Sequence, residues 1–345
     1  MGVKVINAVA DRRASAQCCK SDATERKWRP VFVIGCHRSG TNLLYDTLLS
    51  AGGFAVYRGY LPALRLLIRR FGSLENLHSR GQIVDKWIQS EGFARAGLQA
   101  GPLSSKLLAE CRNEGDFVRI VMDEVARTQG VRRWAVYDPD GVLYLDQIKR
   151  DIADALFVHI VRDGRDVALS LVKMGGFRPF PWDRKPRGLL ESACYWNWMV
   201  QKGRKHGAEF PRDYLEVRFE ELVTEPRAVL ARLENFLEHD LDYARIQERR
   251  LGRLRESNSA FRGDGDKEAQ NPIKRWVKLP HQQLVTLENL IGPGLQQFGY
   301  PLGMDTKRRR VGLMGHCLAL LYPYFLSAKL WFKSNTRTYF AAGPR

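Results

Sequence analysis

The sequence predicts an α/β fold: a three-layer domain with a central parallel sheet flanked by helices. Short apolar runs rich in β-branched residues recur along the chain, and segments of helical periodicity separate them. Such runs read as strands buried on both faces, the environment of a parallel sheet covered by helices. Composition agrees. At 345 residues, 44% hydrophobic and 27% charged, the chain can build one substantial core and is too apolar for wholesale disorder.

In chain order, residues 1–29 are charged and aperiodic and are expected to form a poorly ordered basic arm. Residues 31–35 (VFVIG) form the first strand. A helix over 42–50 follows, with Leu43, Leu44, Thr47 and Leu48 on one face. Segments 60–71, 81–95 and 104–130 read mainly as helices. The second strand is 133–138, stopped by Pro139, and the third is 155–161, followed by a helix over 166–173. A long aromatic helix near 187–206 precedes the fourth strand, 214–219. No repeat or low-complexity tract interrupts the alternation, so one domain over 30–302 and a basic, hydrophobic tail over 303–345 are expected.

The formal net charge is +17, which favours an anionic partner: nucleic acid, an acidic membrane surface, or a phosphate- or sulfate-bearing small molecule. Residues 1–29 hold seven Lys/Arg against three acids, and 303–345 hold eight against one, so most of the excess lies outside the core. The core does not interleave cations with aromatics as a nucleic-acid surface does, and no nucleic-acid partner is expected. Six cysteines, at 18, 19, 36, 111, 194 and 317, show no C-x-x-C or Cys/His spacing. Free thiols in a reducing compartment follow, with no structural metal. The apolar stretch before Asp11, Arg12 and Arg13 is too short for a signal peptide, so a cytoplasmic protein is expected.

The segment from Gly35 through Cys36, His37, Arg38, Ser39, Gly40, Thr41 and Asn42 is a glycine-bracketed loop between strand and helix. Loop amides and a helix N-terminus converge there on one anion, which makes the domain P-loop-like. Thr41 stands where a nucleotide P-loop needs lysine, and no lysine lies in the loop. An ATP-dependent kinase of P-loop type is therefore the weaker alternative, since it needs that lysine and a magnesium ligand. Arg38 is the loop's cation instead. A second constellation begins at the end of the third strand. Arg162 is delivered at the strand's C-terminal end, and Ser170 follows eight residues later on a helix. An arginine fork and a hydroxyl so placed can grip one phosphate, although Arg162, Asp163, Arg165 and Asp166 also read as a solvated salt-bridge cluster.

These two segments resemble the anion sites of sulfotransferases that use 3′-phosphoadenosine 5′-phosphosulfate (PAPS). The wording from His37 to Leu44 is closest to tyrosylprotein sulfotransferases and their bacterial relatives; other branches usually carry lysine at the position of Arg38. The resemblance implies that Gly35 to Asn42 bind the 5′-phosphosulfate, and that Arg162 and Ser170 hold the 3′-phosphate. It places Phe219 beside the adenine and Arg275, with Trp276, on the nucleotide. Ser259 falls near the family's second serine on the sulfonate side. The implied reaction is in-line transfer of a sulfonate from PAPS to an acceptor hydroxyl, on a sugar, lipid or small metabolite, stabilised by Arg38 and with no metal required. A nucleotide-binding protein without catalysis remains a further alternative, because a family glutamate that serves as base has no counterpart in 55–60. Tyr137 likewise replaces a family lysine. Asp138 and Asp140, at the end of the second strand, are the candidate bases, each also explicable as turn or cap chemistry. His37 reads as a phosphate contact and His159 as a satisfied core histidine.

Residues 175–182, hinged by glycine and proline, read either as a lid or acceptor wall or as a packed loop. In the tail, residues 311–328 carry no formal charge and are flanked by Lys307, Arg308, Arg309 and Arg310 and by Lys329, Lys333 and Arg337. Association with an acidic membrane surface, packing on the core or in a homodimer, and a membrane span are all open at this point.

Overall fold

The computed structural model describes residues 25–174, 187–251, 272–303 and 313–335. Five strands, β1 (Val31–Ile34), β2 (Phe54–Ala55), β3 (Arg133–Tyr137), β4 (Leu156–Val161) and β5 (Tyr214–Arg218), form one parallel sheet in the order β2-β3-β1-β4-β5. Fourteen α-helices lie among the described residues: α1 (Thr41–Ala51), α2 (Leu64–Phe71), α3 (Leu77–Ile88), α4 (Glu91–Ala94), α5 (Ala100–Glu110), α6 (Glu114–Thr128), α7 (Leu145–Asp151), α8 (Gly164–Met174), α9 (Leu189–Gly207), α10 (Phe219–Thr224), α11 (Pro226–Leu237), α12 (Tyr243–Arg249), α13 (His281–Gln297) and α14 (Leu313–Asn335). The three-layer α/β reading holds.

Strand alternation divides the core between the two faces. Val31 and Val33 of β1 and Leu156, Val158 and Ile160 of β4 pack with Leu44 and Leu48 of α1 and Leu230 and Leu233 of α11. Phe32, Ile34, Phe157 and Val161 point the other way, into α6, α8, α9 and α13. All of β1 and β4 is buried, which is why these strands read as unbroken apolar runs. From β1 the chain builds β2 and β3 on one side of it and then crosses to β4 and β5 on the other, so a crevice opens at the C-terminal ends of β1 and β4. Ligands of open parallel sheets bind at such a switch point.

Two expectations change. β2, only two residues long and paired with β3 alone, was not expected as a strand. Phe219 was expected to end the fourth strand; it is instead the first residue of α10, where its ring is buried. The tail also acquires structure. α14 packs its inner side, Tyr322 and Leu326, on the domain, with Trp198 of α9 donating to Ser327 Oγ at 3.0 Å. None of the described helices is long and apolar enough to cross a membrane. The segment 175–182 and Ser259 lie outside the described residues.

Candidate functional site

The loop between β1 and α1 is shaped by two glycines. Gly35 adopts φ +154°, and a Cβ there would come within 2.5 Å of the Ile160 carbonyl of β4. Gly40, at φ +97°, caps α1, and a Cβ there would strike the Phe219 ring at 2.4 Å. Arg38 between them also has positive φ, 72°, a conformation that costs a non-glycine residue free energy and is retained mainly where function needs it. No side chain caps α1, so its first-turn N–H groups are left to face whatever binds at the loop.

Arg38 and Arg162 meet across this loop. Arg38 Nε donates to Ser170 Oγ of α8 at 3.0 Å, and Arg162 donates to the Arg38 carbonyl at 3.0 Å. The Arg162 guanidinium lies 4.5 Å from the centre of the Phe219 ring and also donates to the Pro272 carbonyl. Burial lowers the Arg162 pKa, and the nearby cations Arg275 and Arg38 push it the same way, against Asp166 and Glu220. A bound anion would relieve that crowding. Three buried polar atoms here, Ser39 Oγ, Arg162 Nε and Arg275 Nε, have no hydrogen-bond partner among the described residues. Buried donors without partners are costly, and an anionic group is the natural acceptor for them.

Arg275 is brought to the site by Asp166. Its carboxylate accepts from the Lys274 N–H at 2.8 Å and from the Trp276 N–H at 3.1 Å. Trp276 is itself nearly buried, with its ring 3.6 Å from the Arg165 guanidinium. Arg165 in turn pairs with Asp163 and Glu288 and donates to the Pro301 carbonyl. The solvated salt-bridge cluster read from the sequence is therefore corrected: Asp163, Arg165 and Asp166 are buried, Arg165 pairs with Asp163 and Glu288, and Asp166 binds backbone N–H groups instead of a cation, so the three build an internal scaffold. Trp276 belongs to that scaffold.

The two base candidates are separated by their surroundings. Asp138 is 1% exposed and takes both terminal nitrogens of Arg65, at 3.0 and 2.7 Å; Arg65 Nε also pairs with Glu114. That carboxylate is committed to a buried ion pair. Asp140 is partly exposed in the turn after β3, and its Oδ1 lies 3.1 Å from His37 Nε2. Tyr60 and Tyr195 stand near it: burial first, and then the Asp140 charge, raise both phenols above their ordinary range. Arg187, buried nearby, donates to Tyr322 of α14 at 2.7 Å. Tyr60, Tyr195 and Arg187 were not expected as site residues. Their sequence contexts are apolar helices or loops, and only the fold brings them to the loop. His159 is fully buried with Nδ1 against the Tyr214 hydroxyl, as expected of a core histidine, but it is not fully satisfied: its Nε2 has no hydrogen-bond partner among the described residues.

A sequence profile of the sulfotransferase family matches residues 30–243. The chain belongs to that family. Among solved structures, it is similar in fold to the sulfotransferase domain of the Synechococcus PCC 7002 olefin synthase, with a TM-score of 0.50 and 16% identity over 79% of this chain and 95% of that one. It also matches the sulfotransferase domain from the curacin biosynthetic pathway (TM-score 0.49, 15% identity, 79% and 98% of the two chains). A Mycobacterium avium sulfotransferase matches at TM-score 0.40 and 13% identity, over 79% and 78%. No curated protein matches it significantly in sequence. The chain is thus a sulfotransferase by family and not a P-loop kinase, and the family in general takes its sulfonate from PAPS.

Among the described residues one grouping has the spacing of metal ligands, Asp146, His206 and Glu209 on and beside α7 and α9; Asp146 and His206 are hydrogen-bonded to each other at 2.8 Å.

Proposed function

We propose that this sulfotransferase binds PAPS at the β1–α1 loop and transfers its sulfonate to an acceptor hydroxyl, on a sugar, lipid or small metabolite. The observation that carries the reading is the convergence of Arg38, Arg162 and Arg275 beside an uncapped helix N-terminus, with Ser39 Oγ, Arg162 Nε and Arg275 Nε buried and without partners among the described residues. This donor set fits a nucleotide that carries phosphates at two positions.

In this reading the amides of Ser39, Gly40, Thr41 and Asn42, together with Gly35 and His37, form the cradle for the 5′ end. Arg162 and Ser170 take the 3′-phosphate, Phe219 lies by the base, and Arg275 completes the cationic wall. Ser259 remains an expectation from the sequence. The bound donor supplies an activated sulfonate on a phosphate leaving group. Arg38, fixed in position by its backbone, stabilises the negative charge that grows as the leaving group departs, so it acts on the transition state more than on the ground state.

The acceptor proton is assigned to the His37–Asp140 pair. With Nε2–H donated to Asp140, His37 carries its lone pair on Nδ1, and the carboxylate stabilises the imidazolium as it forms. Asp138, held by Arg65, positions the strand end. Metal plays no part in this scheme. Sulfonate transfer from labelled PAPS to a panel of hydroxyl acceptors tests it. Turnover that is lost in Asp140→Asn and His37→Ala, with nucleotide binding kept, supports the assignment; unchanged turnover in both removes it.

A further inference from the structure

The outer face of α14 is an apolar stripe that the catalytic reading does not use. Leu320, Leu321, Tyr324, Trp331 and Phe332 are 44–76% exposed, and Ala328 is exposed among them. At 3.6 residues per turn these positions fall within an arc of about 120°. The opposite side, with Tyr322 and Leu326, is seated on the domain by contacts to Trp198 and Arg187. The stripe is therefore presented outward by a helix that is anchored along its other side.

Charge decides what the stripe meets. Beside Trp331, α14, α7 and α9 enclose an open cleft of about 400 Å³ lined by Tyr144, Asp146, Arg150, Lys202 and Leu330. Arg150 and Lys202 are the cations of the cleft, beside Asp146, which is hydrogen-bonded to His206, and the neighbouring Glu209. In the sequence, Lys307, Arg308, Arg309 and Arg310 precede the helix, Lys333 and Arg337 close it, and Asp305 is the sole acid from 303 to 345. A second copy brought against this face would set like charges against like. An anionic lipid surface complements them, and Trp, Tyr, Phe and Leu are the residues that settle at headgroup depth. With one side of α14 buried on the domain, the helix would lie in the plane of the surface.

We infer that α14 docks the protein on an anionic bilayer, with its outer stripe in the interface and Arg150 and Lys202 facing lipid phosphates. The test is sedimentation of the full chain with vesicles of phosphatidylcholine alone or mixed with phosphatidylglycerol. Two variants accompany it: Leu321→Ser/Trp331→Ser/Phe332→Ser and Arg150→Glu/Lys202→Glu. Circular dichroism and 3′-phosphoadenosine 5′-phosphate binding report whether each keeps the fold and the nucleotide site. Partitioning onto the mixed vesicles, weakened by added salt and lowered about tenfold or more in each variant with nucleotide binding unchanged, is the expected result. No partitioning by the wild-type chain, or equal partitioning onto both compositions, overturns the inference. So does a wild-type dimer that the triple variant dissociates while neither protein binds vesicles; the stripe would then belong to a second copy.

Discussion

Arg38 Nε donates to Ser170 Oγ at 3.0 Å, which ties the loop's cation to the helix that follows the second anion-site strand. The two segments that read as separate phosphate sites in the sequence lie together in space. Arg38→Ala is expected to lower kcat for sulfonate transfer by about 10²–10³, the usual cost of losing one preorganised charge-stabilising donor. Affinity for 3′-phosphoadenosine 5′-phosphate should fall much less. Steady-state rates and titration calorimetry on the same variant check both.

Asp138 and Asp140 should part company on mutation. Asp140→Asn is expected to cost about 10²–10⁴ in kcat, the range for a general base and its partner, with the fold intact. Asp138→Asn leaves the Arg65 guanidinium short of a buried partner, and breaking such a pair costs about 3–5 kcal/mol of stability. Urea unfolding alongside turnover separates the two effects.

Asp166 is expected to act on nucleotide binding at a distance, through the backbone around Arg275. Its carboxylate accepts two backbone N–H groups that flank Arg275, each a charge-assisted hydrogen bond of about 1.5–3 kcal/mol. Asp166→Ala is expected to weaken nucleotide binding at least about tenfold. Asp166→Asn, which keeps an acceptor oxygen, should recover part of it. Calorimetry on the pair of variants is the check.

His159 gives the fold a pH dependence. Burial, with Arg204 nearby, lowers its pKa from 6.5 to about 3. The unfolded chain therefore binds a proton that the folded chain excludes between those values. The contribution to stability is present above pH 6.5 and is lost as pH falls toward 3. Urea midpoints between pH 7 and 4 should drop more steeply in the wild type than in His159→Gln, once the variant's own offset is subtracted.

The sequence shows what is local and hides what is not. β1 and β4 were legible because both of their faces are buried, which makes unbroken apolar runs; β2 was not, because a two-residue strand carries no pattern. Gly35, Arg38 and Gly40 were legible because a strand, a tight loop and a helix follow within twelve residues. The pairing of Arg65 with Asp138 spans 73 residues and that of Asp166 with Trp276 spans 110, and no spacing encodes either. The same holds for Phe219. Its motif could be recognised, but only the fold shows the ring against Gly40 and under Arg162.

The central claim is that the three arginines form one site for a nucleotide phosphorylated at both ends of its ribose. Titration calorimetry of the full chain with 3′-phosphoadenosine 5′-phosphate and with ATP, each with and without magnesium, tests it most directly. The account predicts micromolar affinity for the former, independent of magnesium and lost in Arg162→Ala, with ATP at least about tenfold weaker. Preference for ATP with magnesium, or binding of the bisphosphate unchanged in Arg162→Ala, would contradict it.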